Sequence, residues 1–204
     1  MAGAAVTSGR FRSPRPDELG RLGPEARRLY DALTSGPRAT GEQPFPLTDA
    51  DGALHGPFGL MLLQPGVGGP LQELGAAIRY QGELTARERE IAILAVAAAT
   101  GSGFEAWAHA RVAAAIGMDA AEIAAVADGT FAGADERERL CHDLARRLVH
   151  ERTLDDAGFE QASAALGRAD LLELVVLVGY YATLALMMDV FDVGLPDESP
   201  VADE

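Results

Sequence analysis

Between Thr85 and Gly117 the sequence leaves the backbone little choice. Thr85-Ala86-Arg87-Glu88 has the capping-box pattern that opens a helix, because its first and fourth side chains can each satisfy the other residue's free backbone N–H. The run Ile91 to Ala99 is apolar throughout, and Ala is the residue that most favours helix. Gly101-Ser102-Gly103 interrupts the pattern, as glycines past a helix end do. Phe104 to Ile116 then resumes an Ala-rich helical pattern that stops at Gly117. We read this stretch as two consecutive helices.

The rest of the chain has the same punctuation. Pro24 to Leu33 reads as a first helix, with Leu29, Tyr30 and Leu33 on one side and Pro24 at the position where its missing N–H costs nothing. The connector from Gly36 to about Gly69 holds Pro37, Pro44, Pro46, Pro57 and Pro65, which predicts an extended, looped path with a short helical turn around Phe58 to Gln64. A connector of that length usually has a function, and lining a pocket is one candidate. Pro70 predicts a helix start, with Leu71, Leu74 and Ile78 carrying it to about Tyr80. Asp119 caps a short helix to Val126, and Asp135 opens an amphipathic one to about His150. Leu154 or Asp155 begins another ending at Gly167, and Asp170 caps the last and most apolar, to roughly Val190. With 204 residues, 48% of them hydrophobic, the chain is long enough for one substantial core. The expectation is an all-α single-domain helical bundle over residues 17–195, a flexible N-terminal arm over 1–16 and an acidic tail over 196–204.

Charge narrows the function. The formal net charge of −14 supplies no basic footprint for nucleic acid or an anionic membrane surface. All 17 basic residues are Arg, so lysine Schiff-base chemistry and a Walker-type phosphate loop are excluded. One cysteine, Cys141, cannot form an internal disulfide or a CxxC pair, and it reads as a buried small residue. With four His and no second Cys, no metal site is expected. The segment 1–16 lacks the apolar stretch of a secretory signal. Leu174 to Met188 is short for a membrane span and flanked by Glu173 and Asp189, so a buried core or interface helix is expected. The protein is expected to be cytoplasmic, with neither nucleic acid nor membrane as a partner.

The residues most suited to chemistry are Glu105 and His109. Four apart on a helix, they share a face set among Ala, Val and Ile. Burial and a neighbouring charge can tune such a pair for proton transfer near neutral pH. Glu90, near the start of the preceding helix, is a third candidate. The plainer readings are a surface helix pair for Glu105 and His109, and a carboxylate favoured by the helix dipole for Glu90. His55, in the long connector, is a candidate to reach the site. Tyr180 and Tyr181 sit in the most apolar helix, where a buried hydroxyl needs a partner. Arg87 and Arg89 read as surface charges or oligomer contacts.

The stretch from Gly56 to Gly129 resembles the carboxymuconolactone decarboxylase family, which also includes the alkylhydroperoxidase D-like proteins. The likeness rests on Gly56-Pro57-Phe58, on Leu74 through Ile78-Arg79-Tyr80, on Leu84 through Leu94, and on Phe104-Glu105-Ala106-Trp107-Ala108-His109 with the Ala-rich run to Gly117. Leu171 to Val175 and Gly179-Tyr180-Tyr181 look like the longer single-chain members. The resemblance implies an all-α bundle that assembles into homo-oligomers. It also implies a relay Glu at Glu90 and a relay His at His109. The two cysteines of the peroxidase branch fall on Ser102 and Glu105, so the thiols of that branch are absent. What remains resembles the thiol-free decarboxylase branch, which implies a lyase needing no metal and no organic cofactor and acting on a small carboxylated lactone or unsaturated acid. His109 is then the expected proton donor, with Glu105 or Glu90 orienting it. Arg79 is expected to bind the substrate carboxylate, with Tyr80, Trp107 and His55 shaping the substrate site. The alternatives are an isomerase or ring-opening enzyme on the same groups, a peroxidase-like oxidoreductase disfavoured by the missing thiols, and a non-catalytic binding protein.

Overall fold

A computed structural model of the chain describes residues 10–36, 39 and 44–196. Most of the expected arm, Pro37 of the connector and all of the expected tail except Pro196 lie outside the described residues. The described residues form a 3-10 turn at Leu19–Arg21 and nine α-helices. These are α1 Pro24–Ser35, α2 Pro57–Met61, α3 Pro65–Tyr80, α4 Ala86–Thr100, α5 Gly103–Ala115, α6 Ala120–Asp128, α7 Glu136–Glu151, α8 Asp156–Leu166 and α9 Arg168–Phe191.

Helix α4 is the hub. Every residue from Ile91 to Ala97 is buried, and α5, α6, α7 and α9 pack around it. That explains why it shows apolar residues on all sides rather than a stripe. Thr85 and Glu88 form the expected capping box at its start, and Gly101 adopts the left-handed conformation at its end, with φ +74°. Asp119, Asp135 and Asp155 cap α6, α7 and α8 with their side chains. Within the connector, the described residues 44–56 form a loop as expected, pinned by an isolated antiparallel bridge between Thr48 and Leu54.

Four expectations need correcting. Helix α3 starts at Pro65, not Pro70, which sits inside it. The Gly-rich opening turn is held by packing: a Cβ on Gly68 would stand 2.2 Å from the Met61 carbonyl oxygen, so α2 and α3 meet backbone to backbone. Asp170 is not the cap of α9. The cap position is Gly167, and Asp170 lies in the first turn, where it accepts a hydrogen bond from Arg137 at 2.8 Å. Residues 10–16 are not loose: Phe11 packs edge-on against Phe191, and the Arg10 guanidinium donates to the Val190 carbonyl. Finally, Arg87 is an interhelix tie rather than a surface charge, bonding to Glu138 on α7 at 2.7 Å and to Glu122 on α6 at 2.8 Å.

Candidate active site

Helices α4 and α5 are joined by Gly101 and Ser102 alone, so the start of α4 is brought back beside the middle of α5. This sets Glu90 against His109 although they are far apart in sequence. The His109 Nδ1 lies 2.6 Å from Glu90 Oε2, and its Nε2 lies 3.3 Å from Glu105 Oε2. Both carboxylates are nearly inaccessible, Glu90 at 1% and Glu105 at 3% exposure. Burial alone would lower the His109 pKa. The charge of Glu90 and the hydrogen bonds to Glu105 and Glu90 outweigh it and raise the pKa to about 9. At neutral pH the ring is therefore an imidazolium with an N–H directed at each carboxylate. Arg89 flanks the group, its Nε 3.9 Å from the second oxygen of Glu90.

A cavity of about 60 Å³ opens on one side of this group. A water needs roughly 10–15 Å³ by this measure, so the space suits a small ligand. Glu105 and His109 line it together with Phe104 and Val112 of α5, and Arg79 and Tyr80 come from the end of α3. Pro44, Phe45 and Leu47 of the connector and Pro57 and Phe58 of α2 form another wall, which fits the expectation that the connector lines a pocket. Gly56 lets α2 approach: at φ +58°, a Cβ there would stand 2.3 Å from the Phe104 ring. From α9 come Tyr180, Tyr181 and Leu184. The Tyr181 ring meets the His109 ring edge-on at 5.1 Å, and burial beside Glu105 and Glu90 pushes its hydroxyl pKa well up, so it is a neutral phenol.

The sequence-derived candidates thus divide. Glu105, His109, Arg79 and Tyr80 share the pocket, and Glu90 stands behind His109, off the pocket surface. Trp107 and His55 are not in the lining. Trp107 packs edge-on on Phe45 at 5.1 Å and against Phe104, with the Arg111 guanidinium over its ring, so it supports the wall from behind. The His55 backbone N–H bonds to Leu47, which fixes the connector. Tyr181 was not singled out for the site. Its signal in the sequence was a phenol in the most apolar helix, which needs a polar neighbour if buried.

Residues 65–146 match the family model described as the carboxymuconolactone decarboxylase family. That span runs from the start of α3 into α7 and contains Arg79, Glu90, Glu105 and His109. The chain superposes on a crystal structure described as an alkylhydroperoxidase AhpD core, an uncharacterized peroxidase-related protein from Ralstonia eutropha JMP134. The two are 18% identical with a TM-score of 0.70, and the match covers 93% of each chain. The fold is therefore that of the AhpD core, and residues 65–146 are similar to the carboxymuconolactone decarboxylase family. No curated protein matches the chain significantly. Two features bear on thiol chemistry in this chain. Ser102 and Glu105 occupy the α5 start where the resemblance sets the cysteines, and Cys141 is fully buried, outside the lining, with burial pushing its pKa up to about 12. Among the described residues, no cluster of His, Cys, Asp and Glu is arranged to hold a metal ion.

Proposed function

We propose that this protein is an acid–base enzyme that needs no thiol, and that it acts as a carboxy-lyase on a small carboxylated lactone or unsaturated acid. The observation that carries this reading is His109, protonated and held between Glu90 and Glu105 at 2.6 and 3.3 Å beside a small pocket that also contains Arg79. Arg79 makes no hydrogen bond or ion pair among the described residues, so its guanidinium is available to a substrate carboxylate or to an oxyanion developing at a carbonyl.

In this mechanism the C–C bond to the leaving carboxylate breaks and CO2 departs. The electron pair moves into the conjugated carbonyl and gives an enolate. The carbon then takes up one proton, whose source is the His109 imidazolium. The Nε2 hydrogen points at Glu105, so the proton leaves through that carboxyl group, and solvent restores it afterwards. Glu90 keeps the ring oriented and favours its charged form throughout. Tyr181 and the aromatic walls limit water around the enolate.

The same groups support isomerisation or ring opening, where a proton is moved without loss of CO2. Purified protein given a carboxylated unsaturated lactone distinguishes these reactions. The lyase reading expects CO2 release and one solvent deuterium on the product carbon. Turnover without CO2 assigns the site to isomerisation or ring opening. General acid–base catalysis typically contributes about 100- to 10,000-fold, so His109→Ala should lower turnover by at least about 100-fold. An unchanged rate in that variant rejects the assignment, and absence of any turnover favours a non-catalytic binding protein.

A further inference from the structure

Glu105, in the pocket lining, has an unmet hydrogen-bonding need that bears on the chemistry of a ligand. One oxygen of Glu105, Oε2, faces His109, while the other, Oε1, is closed off from solvent and has no partner. A carboxylate oxygen only accepts, so a donor is missing. His109 cannot supply a second one, because its other N–H is held by Glu90 at 2.6 Å. Tyr181 presents a ring edge to His109, and no hydrogen bond joins it to Glu105. Buried polar groups without partners are rare in folded proteins, and such a group in a pocket points to a ligand that completes it. In the same pocket the positive charge of Arg79 is free of any ion pair among the described residues.

We propose that the ligand is a short hydroxy acid, or the enol form of an oxo acid, whose O–H donates to Glu105 and whose carboxylate pairs with Arg79. Glu105 is then the side chain that meets the substrate. His109, with both nitrogens engaged, is a positioning residue that supplies the proton Glu105 passes on. This rests on the pocket being the substrate site, as argued above, but not on which bond is broken there. A plain carboxylic acid satisfies Arg79 and leaves Glu105 unpaired, and a plain alcohol does the reverse. The cavity of about 60 Å³ restricts the choice to short chains.

The test uses three matched pairs as probes: acetate and glycolate, propionate and 3-hydroxypropionate, butyrate and 4-hydroxybutyrate. Each is titrated into the wild-type protein and followed by the imidazole NMR signals and by calorimetry. At one chain length the hydroxy acid should bind at least about ten-fold tighter than its partner, the size of effect a charge-assisted hydrogen bond produces. Glu105→Gln should abolish that preference, because its amide accepts from His109 through oxygen and turns N–H donors toward the ligand. Arg79→Met should weaken both members of a pair alike. His109→Gln should keep the hydroxyl preference. Equal affinity within every pair, no binding by any probe, or a preference that survives Glu105→Gln overturns the proposal. If Glu105→Gln does not fold, the wild-type pairs and Arg79→Met still decide it. Failure of CO2 release from a lactone leaves these binding results intact, so the two readings fail separately.

Discussion

At the scale of single residues, the sequence offered half of the site. The Glu105–His109 pair was legible because helical spacing alone sets residues four apart on one face. Glu90 was a candidate from its place near the start of the preceding helix, but its pairing with His109 was not legible, since nothing local says which carboxylate of another helix will meet a given imidazole. The connector residues Phe45 and Leu47 depend on packing between distant segments and carry no local mark, and Tyr181 showed only as a phenol in the most apolar helix. The clamped ring makes a testable statement about pH. An unfolded His titrates near 6.5 and the folded His109 near about 9, so the folded state binds its proton more tightly. The contribution is present in full below about pH 6.5 and is lost as pH rises through about 9. A shift of that size corresponds to about 3 kcal/mol. Urea unfolding of the wild type and of His109→Gln at pH 6, 7.5 and 10 should show the wild type losing stability relative to the variant across that window. A constant difference between the two would mean that His109 is not held as an imidazolium.

At the scale of helices, the starts were easier to read than the ties between them. Thr85, Asp119, Asp135 and Asp155 all cap as their sequence patterns require, because capping is a local exchange of hydrogen bonds. Pro70 misled because proline suits a first turn, yet the helix begins a turn earlier at Pro65, where α2 supports it. The ionic ties were invisible in one dimension. Arg137 on α7 donates to Glu88 on α4 at 2.7 Å and to Asp170 on α9 at 2.8 Å, joining the three helices that surround the core. Glu88 is 3% exposed and would keep only its capping bonds if Arg137 were removed. Arg137→Met should therefore cost about 1–3 kcal/mol, the usual penalty for leaving a buried acceptor short of a partner. Arg147→Met, which removes a pair with Glu151 at the surface, should cost at most about 0.5 kcal/mol. Similar losses for both, read from urea midpoints, would show that the Arg137 tie contributes no more than a surface pair.

At the scale of the whole molecule, α9 presents a conflict between composition and surroundings. By length and composition alone, it is a helix able to cross a membrane. Its inward half, including Leu174, Leu177 and Leu184, is the core shared with α4 and α7, so extracting it would dismantle the bundle. Its outward half is a different matter. Leu172, Val175, Gly179, Thr183, Leu186 and Val190 recur every three or four residues and are all exposed, with Leu172 at 65% and Leu186 at 64%. The one hydroxyl in this stripe donates back to the Gly179 carbonyl at 2.8 Å, so the stripe has no polar need of its own. No side chain stands near Gly179, which leaves its backbone open to close approach. In a chain with net charge −14, an uncharged stripe along a whole helix is costly to leave in water. A second copy of the chain, docking helix to helix, is the partner expected from the homo-oligomer reading. Light scattering should then give a multiple of the single-chain mass. The double variant Leu186→Glu with Val190→Glu should reduce that mass to one chain while leaving the helical circular dichroism unchanged, because neither residue contributes to the core. A wild-type protein that scatters as a single chain at micromolar concentration would mean that this stripe faces water, or a different partner, and that the pocket beside Tyr180 and Tyr181 on the same helix is complete within one chain.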